Sequence, residues 1–235
     1  DQSSGVGGGV TIRNSGAVVT ISHSVLDGNT TALGPGGGAI YNSGADLTII
    51  SSTLTNNVPT GISQGDGGAI YTVDGRVQIS HSNISNNNHS DIRHGGGIYA
   101  RGTGADNQQL TIFNSSITGN SASGHGGGIY VEELSTSITA TTIAGNTSSY
   151  GGAITLWGAA SSTLDSSTIT NNTVTNGGAI AVISTTGDSS HYPTVSNTIV
   201  AGNLDTSHVP GLEPADISGS FVSGGHNLIG AKGEA

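Results

Sequence analysis

The sequence has no cysteine and no methionine, and it is poor in charged residues (9%) and aromatic residues (4%). The absence of cysteine excludes disulfide bonds, thiol catalysis and thiolate metal sites. The sequence has 5 basic residues and 15 acidic ones. This balance argues against binding of nucleic acids or anionic lipids, which relies on clustered Lys and Arg. No apolar run approaches the ~20 residues of a membrane span, and no signal sequence opens the chain. Because a starting methionine is also missing, we expect a mature or excised piece of a longer chain.

Glycine and short apolar segments are what the sequence has instead. It contains 40 glycines and 33% hydrophobic residues, which is too apolar for a disordered linker, and the glycines lack the period of three of collagen. They mark an internal repeat, in which a Gly-Gly pair leads seven times into an apolar residue, at intervals of 25 to 31 residues. These apolar residues are Val10, Ile40, Ile70, Ile98, Ile129, Ile154 and Ile180.

Each repeat also carries two polar positions that recur in every copy. A small hydroxyl residue lies between the second and third apolar positions, at Ser24, Ser52, Ser82, Ser115, Thr141, Ser167 and Thr198. An asparagine follows the third apolar position, at Asn29, Asn57, Asn87, Asn120, Asn146, Asn172 and Asn203. Apolar and polar residues alternate in three short segments that Gly, Asn, Ser and Thr turns separate, which predicts three short strands per repeat.

Strands this short cannot bury an apolar face alone, but equivalent strands of successive repeats can stack about 4.8 Å apart into continuous columns. One Asn per coil can donate in one direction and accept in the other, and Asn tolerates the left-handed backbone of a tight turn, so this column predicts a hydrogen-bonded ladder. We therefore predict an all-β, single-domain parallel β-helix, a solenoid of about seven to eight coils with three short strands per coil. Residues 1–203 form the coils, and residues 204–235 form the last partial coil and a C-terminal cap.

The repeats resemble those of right-handed parallel β-helices of the pectate-lyase-like superfamily, in the form found in large secreted or surface proteins of bacteria. The resemblance covers nearly the whole chain and rests on units such as GGGIY at 126–130 and LTIFNSSITGN at 110–120. It implies a right-handed coil and an extracellular or cell-surface location. It implies no single activity, because the superfamily includes lyases, glycosidases, adhesins and structural segments.

The first candidate site is a column of tyrosines that follows the Gly-Gly-Ile strand. Because side chains alternate across a strand, the residue after each inward Ile points outward, and this places Tyr41, Tyr71, Tyr99 and Tyr130 in one stripe over four coils. Flat aromatic faces with a hydroxyl at the edge suit neutral sugars, while the same stripe could equally be a stack that stabilises neighbouring coils.

The second candidate site consists of Asp66, His94 and His125, which precede the glycines in three consecutive repeats. One Asp and two His can supply a general acid and base or ligands for a divalent metal, because imidazole titrates near neutrality. Solvated turn residues are the alternative interpretation. We predict a catalytic role for these three residues, assign no metal and no particular cofactor, and count Arg93 and Arg101 with the tyrosines as substrate-binding residues.

Two further columns are less informative. Beside the hydroxyl column lie His23 and His81, which are separated by a whole coil, too far apart to share a metal ion, and we expect no function there. Around the third apolar position, pairs such as Thr53 and Thr55 form a broken Thr-x-Thr double row. Such rows resemble the flat hydroxyl array of ice-binding β-solenoids, although Thr is also a common strand residue.

The leading functional prediction is a secreted or surface-displayed bacterial module that binds neutral polysaccharide, or another cell-surface glycan, along the tyrosines. A catalytic version would be a glycosidase or lyase with Asp/His acid–base residues. Polyuronate chemistry is disfavoured because the few basic residues are scattered and the acidic surface repels polyanions. Hydrolysis requires two carboxylates; Asp66 alone does not make that pair, although loops could bring Asp74 or Asp91 near it. The alternatives are a structural or adhesin segment with no small-molecule site and, third, an ice-binding solenoid.

Overall fold

Every regular element of this protein is a short β-strand. The structure is a computed structural model that describes residues 7–32, 36–60, 65–103, 108–158, 161–184, 192–207 and 215–230. These residues contain no helix, and hence none long and apolar enough to span a bilayer. Three sheets of eight parallel strands run the length of the molecule. The fold is a β-solenoid of about 7 turns with three main strands per coil, which confirms the predicted architecture.

Each coil contributes one strand to each of the three sheets. The first sheet, which follows the glycine pairs, contains Val10–Ile12, Ile40–Ser43, Ile70–Val73, Ile98–Arg101, Ile129–Glu132, Ile154–Trp157, Gly178–Ile183 and Ala215–Ser218. The second sheet contains Val18–Ser22, Asp46–Ile50, Arg76–Ser80, Gln109–Phe113, Ser135–Thr139, Ser162–Asp165, Thr194–Ser196 and Val222–Gly225. The third sheet contains Val25–Asp27, Thr53–Thr55, Asn83–Ser85, Ser116–Thr118, Thr142–Ala144, Thr168–Thr170, Ile199–Val200 and Leu228–Ile229.

Shorter strands occupy the connection between the third sheet and the next coil. Thr30–Thr31 pairs with Val58–Pro59, and Gly65–Asp66 pairs with Ile92–His94. Thr173–Asn176 pairs with Thr147–Tyr150 on one side and with Leu204–Asp205 on the other. Gly65–Asp66, Ile92–His94, Thr147–Tyr150 and Thr173–Asn176 each end directly before a glycine that leads into the first sheet.

The repeated apolar residues stack into one continuous core. Ile70, Ile98 and Ile129 are paired in register in neighbouring coils and are fully buried. The glycines before them permit this close stacking, because a Cβ at Gly96 would clash with the carbonyl oxygen of Gly127 in the next coil. The alternation of apolar and polar residues in sequence therefore becomes an inside and an outside of the coil.

The asparagine column forms the predicted ladder. The backbone nitrogen of Asn57 donates to Oδ1 of Asn87 at 2.8 Å, and the side-chain nitrogen of Asn87 donates to Oδ1 of Asn120 at 2.8 Å. The same pattern continues to Asn203, whose side chain donates to Oδ1 of Asp216 at 2.7 Å. The left-handed residue of this bend is the one before the ladder asparagine, such as Asn56 with φ of 53°, so the ladder residue itself needs no left-handed backbone.

The C-terminal part of the chain adds one more strand to each sheet. Residues 215–230 supply these strands, and the side chain of Asp216 receives the last ladder hydrogen bond. Within the predicted cap, residues 208–214 and 231–235 lie outside the described residues. The division of the chain at residue 203 stays a prediction.

Candidate functional site

The tyrosine stripe forms a stack of rings on the outer side of the first sheet. Ring centroids are 5.5 Å apart between Tyr41 and Tyr71, 4.8 Å between Tyr71 and Tyr99, and 5.3 Å between Tyr99 and Tyr130. The planes of neighbouring rings differ by 6 to 12°. Parallel strands are about 4.8 Å apart, so the register of the first sheet by itself brings identical rings into stacking contact.

This stack is largely covered, which the sequence did not reveal. Tyr71, Tyr99 and Tyr130 are only 8%, 5% and 5% exposed, and Val73 and Trp157 pack against them. Each of the two central rings contacts a tyrosine on both of its faces. The ring faces that the sequence analysis assigned to sugars are therefore used inside the protein.

A carboxylate that sequence reasoning missed holds the centre of the stack. The Tyr99 hydroxyl donates to Oε2 of Glu132 at 2.9 Å, and Nε of Arg101 lies 3.8 Å from the other oxygen of that carboxylate. Burial, and then the charge of Glu132, raise the pKa of Tyr99 above its ordinary value. Burial and the charge of Asp66 raise the pKa of Tyr71 to about 12. These side chains are neutral phenols near pH 7, and Tyr99 acts as a hydrogen-bond donor.

Asp66 and His94 form a buried hydrogen-bonded pair beside the stack. The two residues are paired in register across the short strands, and Asp66 is only 6% exposed. Oδ1 of Asp66 accepts from the backbone nitrogen of His94 at 3.1 Å and lies 3.1 Å from its Nδ1. Arg93 approaches both partners, at 3.7 Å from Oδ2 of Asp66 and 3.2 Å from Nδ1 of His94. Nε of Arg93 donates to Nδ1 of His94, so that nitrogen acts as an acceptor, while the backbone N–H of His94 and the Arg93 guanidinium both approach the Asp66 carboxylate.

His125 continues this column but is bonded to neither residue. It pairs through its backbone with His94 below and Tyr150 above. Its ring is 5.4 Å from the His94 ring, stacks on Tyr150 at 4.9 Å, and meets Trp157 edge-on at 6.0 Å. Its Nδ1 is buried without a hydrogen-bond partner among the described residues. Burial, and then the nearby His94 and Arg93, lower the pKa of His125, so the neutral ring is favoured.

The three predicted catalytic residues therefore lie in adjacent coils, but only Asp66 and His94 share a hydrogen bond. With Nδ1 bonded to Arg93, proton transfer by the His94 ring would use Nε2, and Asp66 fixes the backbone of His94. In the part of the chain that the structure describes, no cluster of three or more His, Asp or Glu side chains is arranged to hold a metal ion.

Glu132, Tyr150 and Trp157 are the site residues that sequence reasoning missed. A signal for two of them was present, because Arg101, Glu132 and Trp157 are paired in register at the last position of the first-sheet strand. Aligning this column with the tyrosine column in the sequence would have predicted that the pair Arg101 and Glu132, and then Trp157, lie along the stack.

The remaining columns lie on the other sides of the coil. His23 and His81 are at the bend between the second and third sheets, with φ of 49° and 51°. Thr53 and Thr55 are on the third sheet, in register with Asn83 and Ser85. The ice-binding hypothesis for this sheet stays a prediction.

Comparison with known proteins gives one match. A family model described as the Chlamydia polymorphic membrane protein (Chlamydia_PMP) repeat matches residues 114–132. This stretch covers part of one coil. It contains the strand Ser116–Thr118, ladder residue Asn120, His125 and the strand Ile129–Glu132 with Tyr130, but no strand of the second sheet. No curated protein and no solved structure matches the chain. The chain is thus a β-solenoid with local similarity to a repeat of chlamydial polymorphic membrane proteins.

Proposed function

We propose that this chain is a rigid repeat segment of a bacterial surface protein, whose outward aromatic column serves the stacking of its coils. The observation that carries the proposal is the tyrosine stack, in which the central rings are covered on both faces by other tyrosines. A column built for ligands would leave those faces open. The asparagine ladder supports the same role, because it ties each coil to the next through buried side chains.

The match to a polymorphic membrane protein repeat supports a location at the cell surface. The test is labelling of intact source cells with antibodies raised against the folded segment. We expect labelling without permeabilisation, while a cytoplasmic marker protein becomes accessible only after it. Labelling that requires permeabilisation would contradict the proposal.

Neutral-polysaccharide binding is the second candidate, and the open end of the aromatic stack favours it. The column of tyrosines stops after Tyr130, where Thr155 takes the next position. Tyr150 is 43% exposed there, and Trp157 is only partly buried. A glycan that continues along the stripe would contact the edges and hydroxyls of the tyrosines and the open faces of Tyr150 and Trp157.

Binding to an array of neutral glycans tests this second candidate. We expect Tyr150→Ala and Trp157→Ala to weaken binding about tenfold or more, since aromatic side chains that a ligand covers carry much of the binding energy. Val18→Ala, at an exposed position far from the stack, is the matched control. Binding that both aromatic variants retain in full would exclude this surface.

Cleavage of the bound glycan would use His94 as the proton carrier and Asp66 as its partner. Product release from a panel of neutral polysaccharides should then disappear in His94→Ala and also in Asp66→Asn. If the wild-type protein releases no product from any of them, the catalytic version is wrong, whereas binding alone is unaffected by that result.

A further inference from the structure

A shallow groove lies on a different side of the molecule from the tyrosine stack. It runs along the bend between the second and third sheets, across four consecutive coils, and has a volume of about 550 Å³. The groove crosses residues 51–53, 81–83, 114–116 and 140–142. Its long direction therefore follows the axis of the solenoid.

Two rows of polar side chains form the walls of the groove. One row stands at the bend, where a left-handed backbone turns the chain, and consists of Ser51, His81 and Asn114 with φ of 48°, 51° and 45°. The other row is at the start of the third-sheet strands and consists of Thr53, Asn83 and Ser116. The hydroxyl column lies between the two rows as the floor.

The floor and the walls differ in how their hydrogen-bonding groups are used. The floor hydroxyl of Ser82 donates to the carbonyl oxygen of Ser80 at 2.8 Å and accepts from the backbone nitrogen of Ser52 at 3.1 Å. On the walls, the structure shows no hydrogen bond from the side chains of Ser51, Asn114 or Ser116 to any described residue. The side chains of Ser51, Asn114 and Ser116 are thus available to a ligand, whereas the amide nitrogen of Asn83 already donates to Oγ of Ser85 at 3.0 Å.

In later coils the polar side chains at the same bend are hydrogen-bonded within the protein. Ser166 and Asn197 stand at the position of Asn114, with φ of 50° in both. Both donate to the carboxylate of Asp165, at 2.9 and 2.8 Å. In these two later coils Asp165 takes up the polar groups of the bend, whereas no described acidic residue does so for Asn114.

The chemistry of the lining selects the class of ligand. The groove residues include no Asp, Glu, Lys or Arg, so nothing there compensates a charged ligand. Phe113 lies at the rim, 45% exposed, with its ring edge-on to His81 at 5.7 Å. Wall groups repeat about every 4.8 Å, the spacing of parallel strands, which is similar to the length of one sugar ring in an extended chain.

We propose that this groove binds an extended neutral oligosaccharide lying along the solenoid axis. Sugar hydroxyls bond to the free side chains of His81, Asn114 and Ser116, and the apolar face of one ring rests against Phe113. This site is separate from the tyrosine stack and does not depend on the proposed surface location.

A gain-of-function variant gives the sharpest test, because the chain itself offers a matched position. Ala140 occupies the bend in the next coil, with φ of 50°, and has no side-chain hydrogen-bonding group. Ala140→Asn adds a fourth member to the wall at a left-handed position that Asn tolerates. Asn114→Ala makes the opposite change, and Ala140 shows that the bend accepts alanine.

The measurement is a titration of ¹⁵N-labelled protein with cellohexaose and xylohexaose at millimolar concentration, followed by amide chemical shifts. We expect shifts in residues 81–83 and 114–116, affinity about fivefold lower for Asn114→Ala, and affinity higher by about twofold to fivefold for Ala140→Asn. Asn197→Ala, at the same bend but outside the groove, should leave the affinity unchanged.

Three results would overturn the proposal. They are the absence of groove shifts with both neutral sugars, equal affinity of Asn114→Ala and wild type, and shifts confined to Tyr150 and Trp157. The last of these would favour the second candidate function instead. A hexamer of galacturonic acid serves as the charged comparison and should bind more weakly than the neutral sugars, because the protein carries a net charge of −10.

Discussion

The tyrosine stack and the polar groove are both columns of outward side chains repeated over four coils. The tyrosines contact one another from coil to coil, whereas several side chains of the groove have no partner among the described residues. Tyrosine rings span the inter-coil distance and meet at 4.8 to 5.5 Å. The serine, asparagine and threonine side chains of the groove are shorter, and those of Ser51, Asn114 and Ser116 bond to nothing in the described part of the chain. A repeated position therefore stabilises the fold where its side chains meet a partner in the next coil, as the tyrosines and the ladder asparagines do, and keeps free polar groups where they meet none.

The largest effect that this comparison predicts is on stability at the centre of the stack. Tyr99→Ala removes a ring that contacts two others and the hydroxyl that bonds Glu132. We expect a loss of about 3 to 5 kcal/mol in the free energy of unfolding, as for other buried aromatic truncations. Urea unfolding followed by the fluorescence of Trp157, the single tryptophan, measures it.

Tyr150→Ala is the control for this experiment, since Tyr150 is 43% exposed and stacks on one ring only. It should cost about 1 kcal/mol or less. Equal losses in the two variants would mean that burial of the stack does not stabilise the coils.

The second effect is a loss of stability in alkali. The pKa of Tyr71 is about 12 in the folded protein, against an ordinary value of 10.0, and the pKa values of Tyr99 and Tyr130 are raised in the same direction. The unfolded chain thus releases its protons first, so the stabilisation is complete below pH 10 and is lost as the pH rises towards 12. For Tyr71 alone the loss is about 3 kcal/mol.

Tyrosinate absorbance, recorded together with urea unfolding between pH 9 and 12, tests this expectation. Tyr71→Phe keeps the ring in the stack and removes the titrating hydroxyl, so its stability should fall less steeply over the same pH range. If the variant and the wild type show the same slope, the tyrosine stack is not the origin of the alkaline loss.

Most of the fold could be predicted from the sequence, because the solenoid converts sequence period into register. The asparagine ladder is an example, since only one position per repeat holds Asn in every copy and the bonds follow from that spacing. The pairing of Asp66 with His94 follows the same rule. In both cases the prediction concerned which residues are neighbours along the axis.

The direction and burial of side chains could not be predicted in the same way. Trp157 packs against the tyrosine cluster and Glu132 accepts from the Tyr99 hydroxyl, and both residues come from another column. The availability of Asn114 depends on the absence of an acidic partner such as Asp165 beside it. Such contacts arise between columns, and a comparison of repeats one column at a time does not contain them.

A smaller effect is expected on the acid side of the stack. The pKa of His125 is lowered by burial and by the nearby His94 and Arg93, so the unfolded chain takes up a proton at higher pH than the folded chain. Stability is complete above about pH 6.5, the ordinary value, and decreases as the pH falls below it. Because the ring is partly exposed, we expect a loss below about 1 kcal/mol.

His125→Gln should remove this part of the pH dependence. The measurement is the urea midpoint between pH 7.5 and 5, with His94, Arg93 and Asp66 left unchanged as the surrounding charged and titratable groups. An unaltered acid slope in the variant would assign the effect to one of those neighbours.

The smallest change in stability is expected in the groove. It is the most direct test of the difference between the groove and the tyrosine stack. Asn114→Ala removes an exposed amide that bonds to no described residue, at a bend where Ala140 already stands in the next coil with nearly the same φ. The free energy of unfolding should change by less than about 0.5 kcal/mol. A larger loss would show that the groove wall stabilises the coil as the tyrosines do, and the lack of a bonded partner would then not distinguish the two regions. An unchanged stability together with weaker sugar binding would mean that the same kind of repeated position serves the fold on one side of the solenoid and a ligand on another.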